Sequence, residues 1–216
     1  MPMKNDREYR DLVLAAVETV PEEKIVQGYA STFDQPYLLW EDADAQVWEQ
    51  VSRDAFAETD MDDVIFQYDH EGRVFARKSN GTLQVDADEQ GLLIKANLGG
   101  TTIGRQLYEE IRGGYTSKMS FGFTVPDDGS SWENEPLEDG RRKVTRTIMK
   151  VGKLYDVSAV SLPANPNTAI SARTKDLIDG EIERIAEECR RAEAEEHRQK
   201  QREELARLLK EVKNNA

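Results

Sequence analysis

The sequence has very little cysteine and histidine and no excess of basic residues, and each shortage excludes a class of protein. One of the 216 residues is cysteine (Cys189) and two are histidine, so an internal disulfide framework and a cysteine-based zinc site are both excluded. The chain has 42 acidic and 29 basic residues and a formal net charge of −13. Nucleic acids and anionic membranes attract basic surfaces, so we expect neither of them as a partner.

Long hydrophobic runs are also missing. The apolar run at residues 12–17 is too short for a membrane span or for the core of a signal peptide, and a strongly charged segment precedes it. Together with the single cysteine, this predicts a soluble protein of the cytosol.

Changes in composition divide the chain into three predicted regions. Residues 1–20 form an N-terminal arm, and residues 21–173 form a core domain that we expect to be mainly β. Residues 174–216 are dominated by Glu, Lys, Arg, Gln and Ala and have only a thin apolar stripe, which predicts a charged helical or coiled-coil tail. In the arm, one short helical face is predicted by four apolar residues: Leu12, Val13, Ala16 and Val20.

Runs rich in β-branched and aromatic residues, and runs of alternating polarity, predict the strands of the core. These runs are 25–33, 64–68, 74–77, 83–87, 92–98, 117–125, 143–150 and 153–160. One helix is predicted at 102–112, closed by Gly113-Gly114. The pair Asn80-Gly81 predicts a hairpin turn, and the acidic stretches 34–53 and 126–140 predict loops.

His70 is the one histidine of the core, and it follows a predicted buried strand. A histidine in such a turn can act as a general base near neutral pH, although an ordinary surface histidine has the same local pattern. The carboxylates near it are irregularly spaced, which is poor evidence for a metal site. His197 lies in the charged tail, where we expect it to be solvated.

Ser120 alternates with large apolar residues in the strand at 117–125, which places its hydroxyl on the opposite face, toward a cleft or solvent. Gly122 leaves room beside it for a substrate backbone. A serine needs an adjacent base and a group that orients the base. Asp156 is the first candidate for that group, because an acid within an apolar strand requires a partner. Asp86, Glu109 and Glu110 remain open as substitutes.

Three segments in this order resemble the prohead serine proteases of tailed phages of the HK97 type, which are related in fold to the herpesvirus assemblin proteases. The first is a strand leading into Tyr68-Asp69-His70. The second is the serine segment 117–123 after a Gly-Gly turn, and the third is the segment 154–166, which ends in Leu-Pro-Ala-Asn-Pro. The resemblance covers about residues 24–172.

The resemblance implies a closed or partly open β-barrel with a few peripheral helices, to which the long C-terminal helix is added. It implies a serine endopeptidase without a cofactor that cleaves the scaffold region of the major capsid protein, and itself, within the assembling prohead in the host cytoplasm. Ser120 matches the family's nucleophile and His70 its base. Asp156 stands where the family often has Glu. The herpesvirus relatives act as dimers, so a homodimer or a higher homo-oligomer is expected.

Other functions remain open at this point. A scaffolding or capsid assembly protein with an inactive protease-like barrel is the first alternative, but the presence of both His70 and Ser120 argues against it. An esterase with the same pair is the second, and a protease fused to a scaffold is the third. The tail is short for a complete scaffold, so we interpret it as a targeting segment that docks on scaffold helices.

Overall fold

β-Strands make up most of the structure, a computed structural model that describes residues 7–12, 18–20 and 23–161 and scattered residues between 180 and 202. The chain divides into two compact units, Met1–Thr174 and Lys175–Ala216. The mainly β class predicted for the core is confirmed. The strands are β1 (Glu8–Leu12), β2 (Glu18–Val20), β3 (Ile25–Thr32), β4 (Tyr37–Glu41), β5 (Ala45–Val51), β6 (Ile65–Tyr68), β7 (Glu71–Arg77), β8 (Leu83–Ala87), β9 (Gly91–Asn97), β10 (Lys118–Thr124), β11 (Ser130–Pro136), β12 (Arg142–Ile148) and β13 (Lys153–Val160).

These strands form three sheets. The first sheet has the order β1-β10-β13-β6-β7, the second β11-β12-β5-β4 and the third β2-β3-β9-β8. Each sheet ends in two edge strands, so no closed barrel is found in the described part of the chain. Of the two forms that we expected, a closed or a partly open barrel, the closed one is therefore wrong, because the strands segregate into separate sheets that pack on one another.

One hydrophobic core joins the three sheets and the helix α1 (Thr102–Arg112). Phe121 and Phe123 of β10 stack in it with ring centroids 4.6 Å apart, and α1 contributes Leu107 and Tyr108. The apolar face of β10 is thereby fixed against the core, which determines where its other face, with Ser120, must lie.

The helix predicted at 102–112 is confirmed, and so is its end at Gly113-Gly114, while its beginning is capped by a residue that the sequence analysis did not name. The hydroxyl of Thr101 accepts a hydrogen bond from the Gly104 N–H at 3.0 Å, which satisfies one of the free donors of the first turn. Gly114 follows the last turn with a φ of +76°, a conformation that glycine adopts without strain.

Both acidic stretches that we expected to be loops contain strands. Residues 34–53 hold β4 and β5, and residues 126–140 hold β11. In β5 every second side chain is buried, starting with Ala45 and Val47, so the strand has the period of two typical of a half-buried sheet. Its acidic residue Glu49 follows the same pattern and is fully buried, because arginines neutralise its charge in the interior.

The hairpin predicted at Asn80-Gly81 is also wrong. β7 pairs with β6, whereas β8 pairs with β9. The chain instead passes from the first sheet to the third through a short 3-10 helix, Lys78–Asn80, followed by Gly81 with a φ of +76°. Asn80-Gly81 correctly predicted a turn, but the strands on either side of it each form a hairpin with their other neighbour in the sequence and not with each other.

The helical face predicted in the N-terminal arm is wrong at two of its four positions. Leu12 lies in β1 and Val20 in β2, while Val13 and Ala16 lie outside the described residues. A helix this short is marginal alone, whereas β10 and β3 offer edges with free backbone donors and acceptors. Pairing with those edges therefore makes residues 8–12 and 18–20 extended instead of helical.

In the C-terminal unit, the described residues between 180 and 202 are all helical, and nearly all are exposed. Surface ion pairs join Arg191 to Glu187 at 2.6 Å and Arg198 to Glu195 at 3.0 Å. The long continuous helix that we predicted for 174–216 falls largely outside the described residues. No helix in the described part of the chain has the length and hydrophobicity that a membrane span requires.

Candidate active site

His70 lies in a two-residue turn between β6 and β7. Tyr68 pairs with Glu71 across the hairpin, and the two residues between them, Asp69 and His70, have φ values of 48° and 57°. Positive φ at both central positions is what a type I′ turn requires. Residues with a Cβ rarely adopt this conformation, and strain of this kind tends to occur at functional sites.

The end of β13 holds this turn in place. The Asp69 N–H donates to the carbonyl oxygen of Ala159 at 3.0 Å, and the Asp69 carboxylate accepts a hydrogen bond from the Ser161 N–H at 3.0 Å. The strands β6 and β7 and the end of β13 together therefore fix the turn that carries the His70 ring.

Ser120 and Asp156 lie on neighbouring strands of the same sheet. β10 and β13 are antiparallel, with Ser120 opposite Ser158 and Gly122 opposite Asp156. Side chains of residues directly opposite one another point to the same face of a sheet. The carboxylate and the hydroxyl are therefore presented together, on the face of β10 that points away from its phenylalanines.

The structure brings His70, Ser120 and Asp156 into one hydrogen-bonded chain. The His70 Nε2 lies 2.6 Å from the Ser120 Oγ, and its Nδ1 lies 2.5 Å from the Asp156 Oδ1. With the proton on Nδ1, which donates to the carboxylate, Nε2 has a free lone pair that can accept the hydroxyl proton. This arrangement of nucleophile, base and orienting acid can perform acyl transfer.

Two residues that support Asp156 had not been assigned from the sequence. The Ser158 hydroxyl donates to the Asp156 Oδ1 at 3.0 Å. A Cβ at Gly122 would lie 2.3 Å from the Asp156 Oδ2 and 2.8 Å from the Tyr9 ring. The space beside Gly122, which we expected to admit a substrate backbone, is thus filled by a carboxylate and an aromatic ring. The i, i+2 spacing of Asp156 and Ser158 in a strand was the available signal for the first contact.

The strand β1 covers the hydroxyl of Ser120. The Oγ donates to the main-chain carbonyl oxygen of Arg10 at 2.9 Å, and the Tyr9 ring lies over His70 with centroids 4.4 Å apart. Ser120 has a solvent-exposed fraction of 0%, whereas the His70 side chain retains 15%. The expectation that the hydroxyl faces a cleft or solvent is therefore wrong, because β1 pairs along the edge of β10.

Two buried ion pairs anchor β1 to the second sheet. Arg146 of β12 binds both carboxylate oxygens of Glu8, at 2.6 and 3.0 Å. Arg10 binds both carboxylate oxygens of Glu49 of β5, one of them at 2.9 Å. The Tyr37 hydroxyl also donates to Glu49, at 2.5 Å. We call Glu8, Arg10, Glu49 and Arg146 the buried charged cluster.

The cluster remains ionised despite its burial. Burial raises the pKa of Glu8, but Arg10 and Arg146 outweigh that effect and lower it to about 2. The pKa of Glu49 is also lowered, since the same two arginines overcome the effect of burial. Burial opposes the charge of Arg10, yet Glu49 and Glu8 raise the pKa of its guanidinium well above the usual value. The four side chains therefore hold two positive and two negative charges.

The other acids considered from the sequence have different surroundings. Glu109 pairs with Lys24 at 3.0 Å, while Asp86 and Glu110 are exposed on β8 and α1. Within the described ranges, no group of three or more His, Cys, Asp or Glu side chains is arranged to hold a metal ion. His197 and Cys189 lie outside the described residues.

A comparison with protein families matches residues 10–181 of the chain to the model of the Caudovirus prohead serine protease. No curated protein and no solved structure matches the chain. The family match spans His70, Ser120 and Asp156 and covers most of the chain. The chain therefore belongs to the family of caudovirus prohead serine proteases, which gives it a protease role in phage capsid maturation.

Proposed function

We propose that this protein is the prohead maturation endopeptidase that cleaves the scaffold region of the major capsid protein, and itself, inside the assembling phage head in the host cell. Ser120 is the nucleophile, His70 the general base and Asp156 the acid that orients His70. The observation that carries the proposal is the chain of hydrogen bonds at 2.6 and 2.5 Å through the two nitrogens of His70.

The geometry supports a two-step hydrolysis. His70 Nε2 takes the Ser120 proton as the Oγ attacks a peptide carbonyl carbon, and Asp156 stabilises the imidazolium that forms. The imidazolium then protonates the leaving amine, the C–N bond breaks and an acyl-enzyme remains. Water attacks this ester with His70 again as the base, which releases the new carboxyl terminus and restores the serine.

The experiment is coexpression of the chain with the major capsid protein of its phage. The native chain is compared with Ser120→Ala and with Ser117→Ala, an exposed serine three residues earlier. Masses of the capsid protein and of the protease chain report processing. We expect cleavage of both by the native chain and by Ser117→Ala, and none by Ser120→Ala.

Other outcomes assign the function differently. Cleavage that persists in Ser120→Ala removes Ser120 as the nucleophile. Proheads that assemble without any cleavage by the native chain favour the alternative function, a non-catalytic scaffolding or assembly protein. Hydrolysis of small esters with no effect on the capsid protein identifies an esterase.

A further inference from the structure

β1 pairs along β10 and lies against the hydroxyl of Ser120. A peptide bond can be attacked only if its carbonyl carbon reaches the Ser120 Oγ, and in the structure the main-chain carbonyl group of Arg10 lies against that atom, with its oxygen 2.9 Å from the Oγ. The Ser120 hydroxyl has one proton, and two acceptors lie within hydrogen-bond distance of its Oγ: the carbonyl oxygen of Arg10 and, when its ring proton is on Nδ1, the Nε2 of His70. While β1 is in place, it shields the serine and competes with His70 for the proton that the base must remove.

β1 is held like an added peptide rather than like an interior strand. It is five residues long, lies at the edge of its sheet and pairs with a single strand, β10. Peptides commonly bind to proteins by adding a strand to a sheet edge, where main-chain hydrogen bonds give affinity and alternate side chains enter pockets. Here the alternate side chains are Glu8 and Arg10, which reach the second sheet.

We propose that the groove filled by β1 is the substrate-binding groove, and that it selects extended peptides with an acidic residue two positions before an arginine, the arginine lying beside the bond to be cleaved. This inference deepens the proposed function and rests on it, because the proposed function identifies the bound peptide as a substrate.

The specificity follows from the two charged residues of the buried charged cluster that lie outside β1, Glu49 and Arg146. Glu49 and Arg146 lie opposite each other on β5 and β12 and contact each other at 3.0 Å, so they remain partly paired when β1 leaves. A bound strand must then present a base to Glu49 and an acid to Arg146. A strand that sets an acid beside Glu49 or a base beside Arg146 would place two like charges together in the interior, which is strongly unfavourable.

The geometry of the pairs favours arginine over lysine. Arg10 contacts Glu49 through its Nε and one terminal nitrogen, and that second contact measures 2.9 Å. A guanidinium presents such a planar pair of donors, whereas an ammonium group is a single point of charge. A substrate with lysine at this position is expected to bind more weakly.

The test measures binding separately from cleavage. The full chain with Ser120→Ala is titrated into two fluorescent ten-residue peptides, Asn-Asp-Arg-Glu-Tyr-Arg-Asp-Leu-Val-Leu, which is residues 5–14 of this chain, and the same peptide with its Glu and the following Arg exchanged. The composition and net charge of the two peptides are equal. We expect the first to bind about a hundredfold more tightly, because the second sets like charges against Glu49 and Arg146. Competition by β1 within the chain weakens both affinities equally and leaves their ratio unchanged.

A second chain tests whether β1 and the peptide share the groove. The second chain carries Glu8→Arg and Arg10→Glu in the Ser120→Ala background. This exchange places like charges beside Arg146 and Glu49 and leaves the residues of the groove unchanged. We expect the first peptide to bind this chain at least about tenfold more tightly than it binds the chain with native β1. If the exchanged chain does not fold, the inference is tested by the ratio of the two peptides' affinities for the chain with native β1.

Equal affinities for the two peptides, or no binding of either, overturn the inference. Cleavage by the native chain is measured in parallel and tests the proposed function. Ser120-dependent cleavage without a binding preference refutes the specificity and leaves the protease standing. A binding preference without any cleavage refutes the protease and leaves a peptide-binding groove.

Discussion

The carboxylate of Asp156 lies where a side chain at Gly122 would begin, with its Oδ2 2.3 Å from the position of a Cβ at that glycine. The two residues are direct partners in the β10–β13 pair, so the pairing of the strands itself keeps the Asp156 side chain beside Gly122. Asp156 can orient His70 only because the facing residue has no side chain.

Replacing Gly122 with alanine is therefore expected to displace the carboxylate and slow catalysis. A misplacement of about 1 Å at an active site lowers rates by about a hundredfold, and we expect a fall in kcat of that order in cleavage of the capsid protein. Gly152→Ala is the matched control, because its Cβ would have nothing nearer than 3.6 Å. Thermal unfolding of both variants shows whether the sheet is intact. Full activity of Gly122→Ala would show that Asp156 does not need its observed position.

Asp156→Asn is expected to keep the fold and to lose activity by about three to four orders of magnitude, because an amide cannot stabilise the imidazolium and favours the wrong tautomer of the base. Asp86→Asn makes the same chemical change on the exposed β8 and tests a candidate that the sequence left open. The rate of capsid-protein cleavage is the measurement for both. If Asp86→Asn were the inactive variant, the orienting acid would have to be reassigned.

The parts of the structure that the sequence predicted are those that depend on local patterns. β10 follows from the alternation of Met119, Phe121 and Phe123 with small or polar residues, and α1 from its periodicity and from the glycine pair that closes it. The site residues were proposed from a family resemblance, supported by the scarcity of histidine and by the position of an acid in an apolar strand. In the structure these three residues are in contact.

The parts that could not be predicted depend on partners distant in the chain. Residues 8–12 have no strand pattern, and only pairing with β10, about 110 residues later, makes them a strand. Glu49 indicated a loop because an acid alone is not stable in a core. The arginines that neutralise it, Arg10 and Arg146, lie 39 and 97 residues away. No local rule connects these positions, so the covering of Ser120 could not be foreseen.

Arg146→Met is expected to destabilise the protein by about 3–5 kcal/mol, because it leaves Glu8 and Glu49 with one buried arginine between them. Arg141→Met is the matched control, since Arg141 pairs with Glu41 and Asp139 at the surface and such pairs contribute about 1 kcal/mol or less. Urea unfolding of both variants gives the free energies. A loss for Arg146→Met as small as that for Arg141→Met would mean that the buried cluster contributes little to stability.

Acid is expected to weaken the ion pairs by which the buried charged cluster holds β1 against the second sheet. The pKa of Glu8 is about 2 in the folded protein, against an ordinary value of 4.5, so its ionised form is favoured by folding. That contribution, about 3 kcal/mol, is fully present above about pH 4.5 and is lost as the pH falls to about 2. Glu49 acts in the same direction, because its pKa is lowered as well. The free energy of unfolding should therefore fall steeply across this interval.

Glu8→Gln separates this effect from general acid unfolding. The amide cannot titrate, so we expect lower stability at neutral pH and a shallower fall between pH 4.5 and 2. Glu133→Gln, which removes a carboxylate from the exposed face of β11, is the control for the loss of one negative charge. It should follow the native curve. Urea unfolding at several pH values measures all three chains. If Glu8→Gln kept the full acid dependence, protonation of Glu8 could not be what loosens β1, and the acid sensitivity would have to arise from other carboxylates.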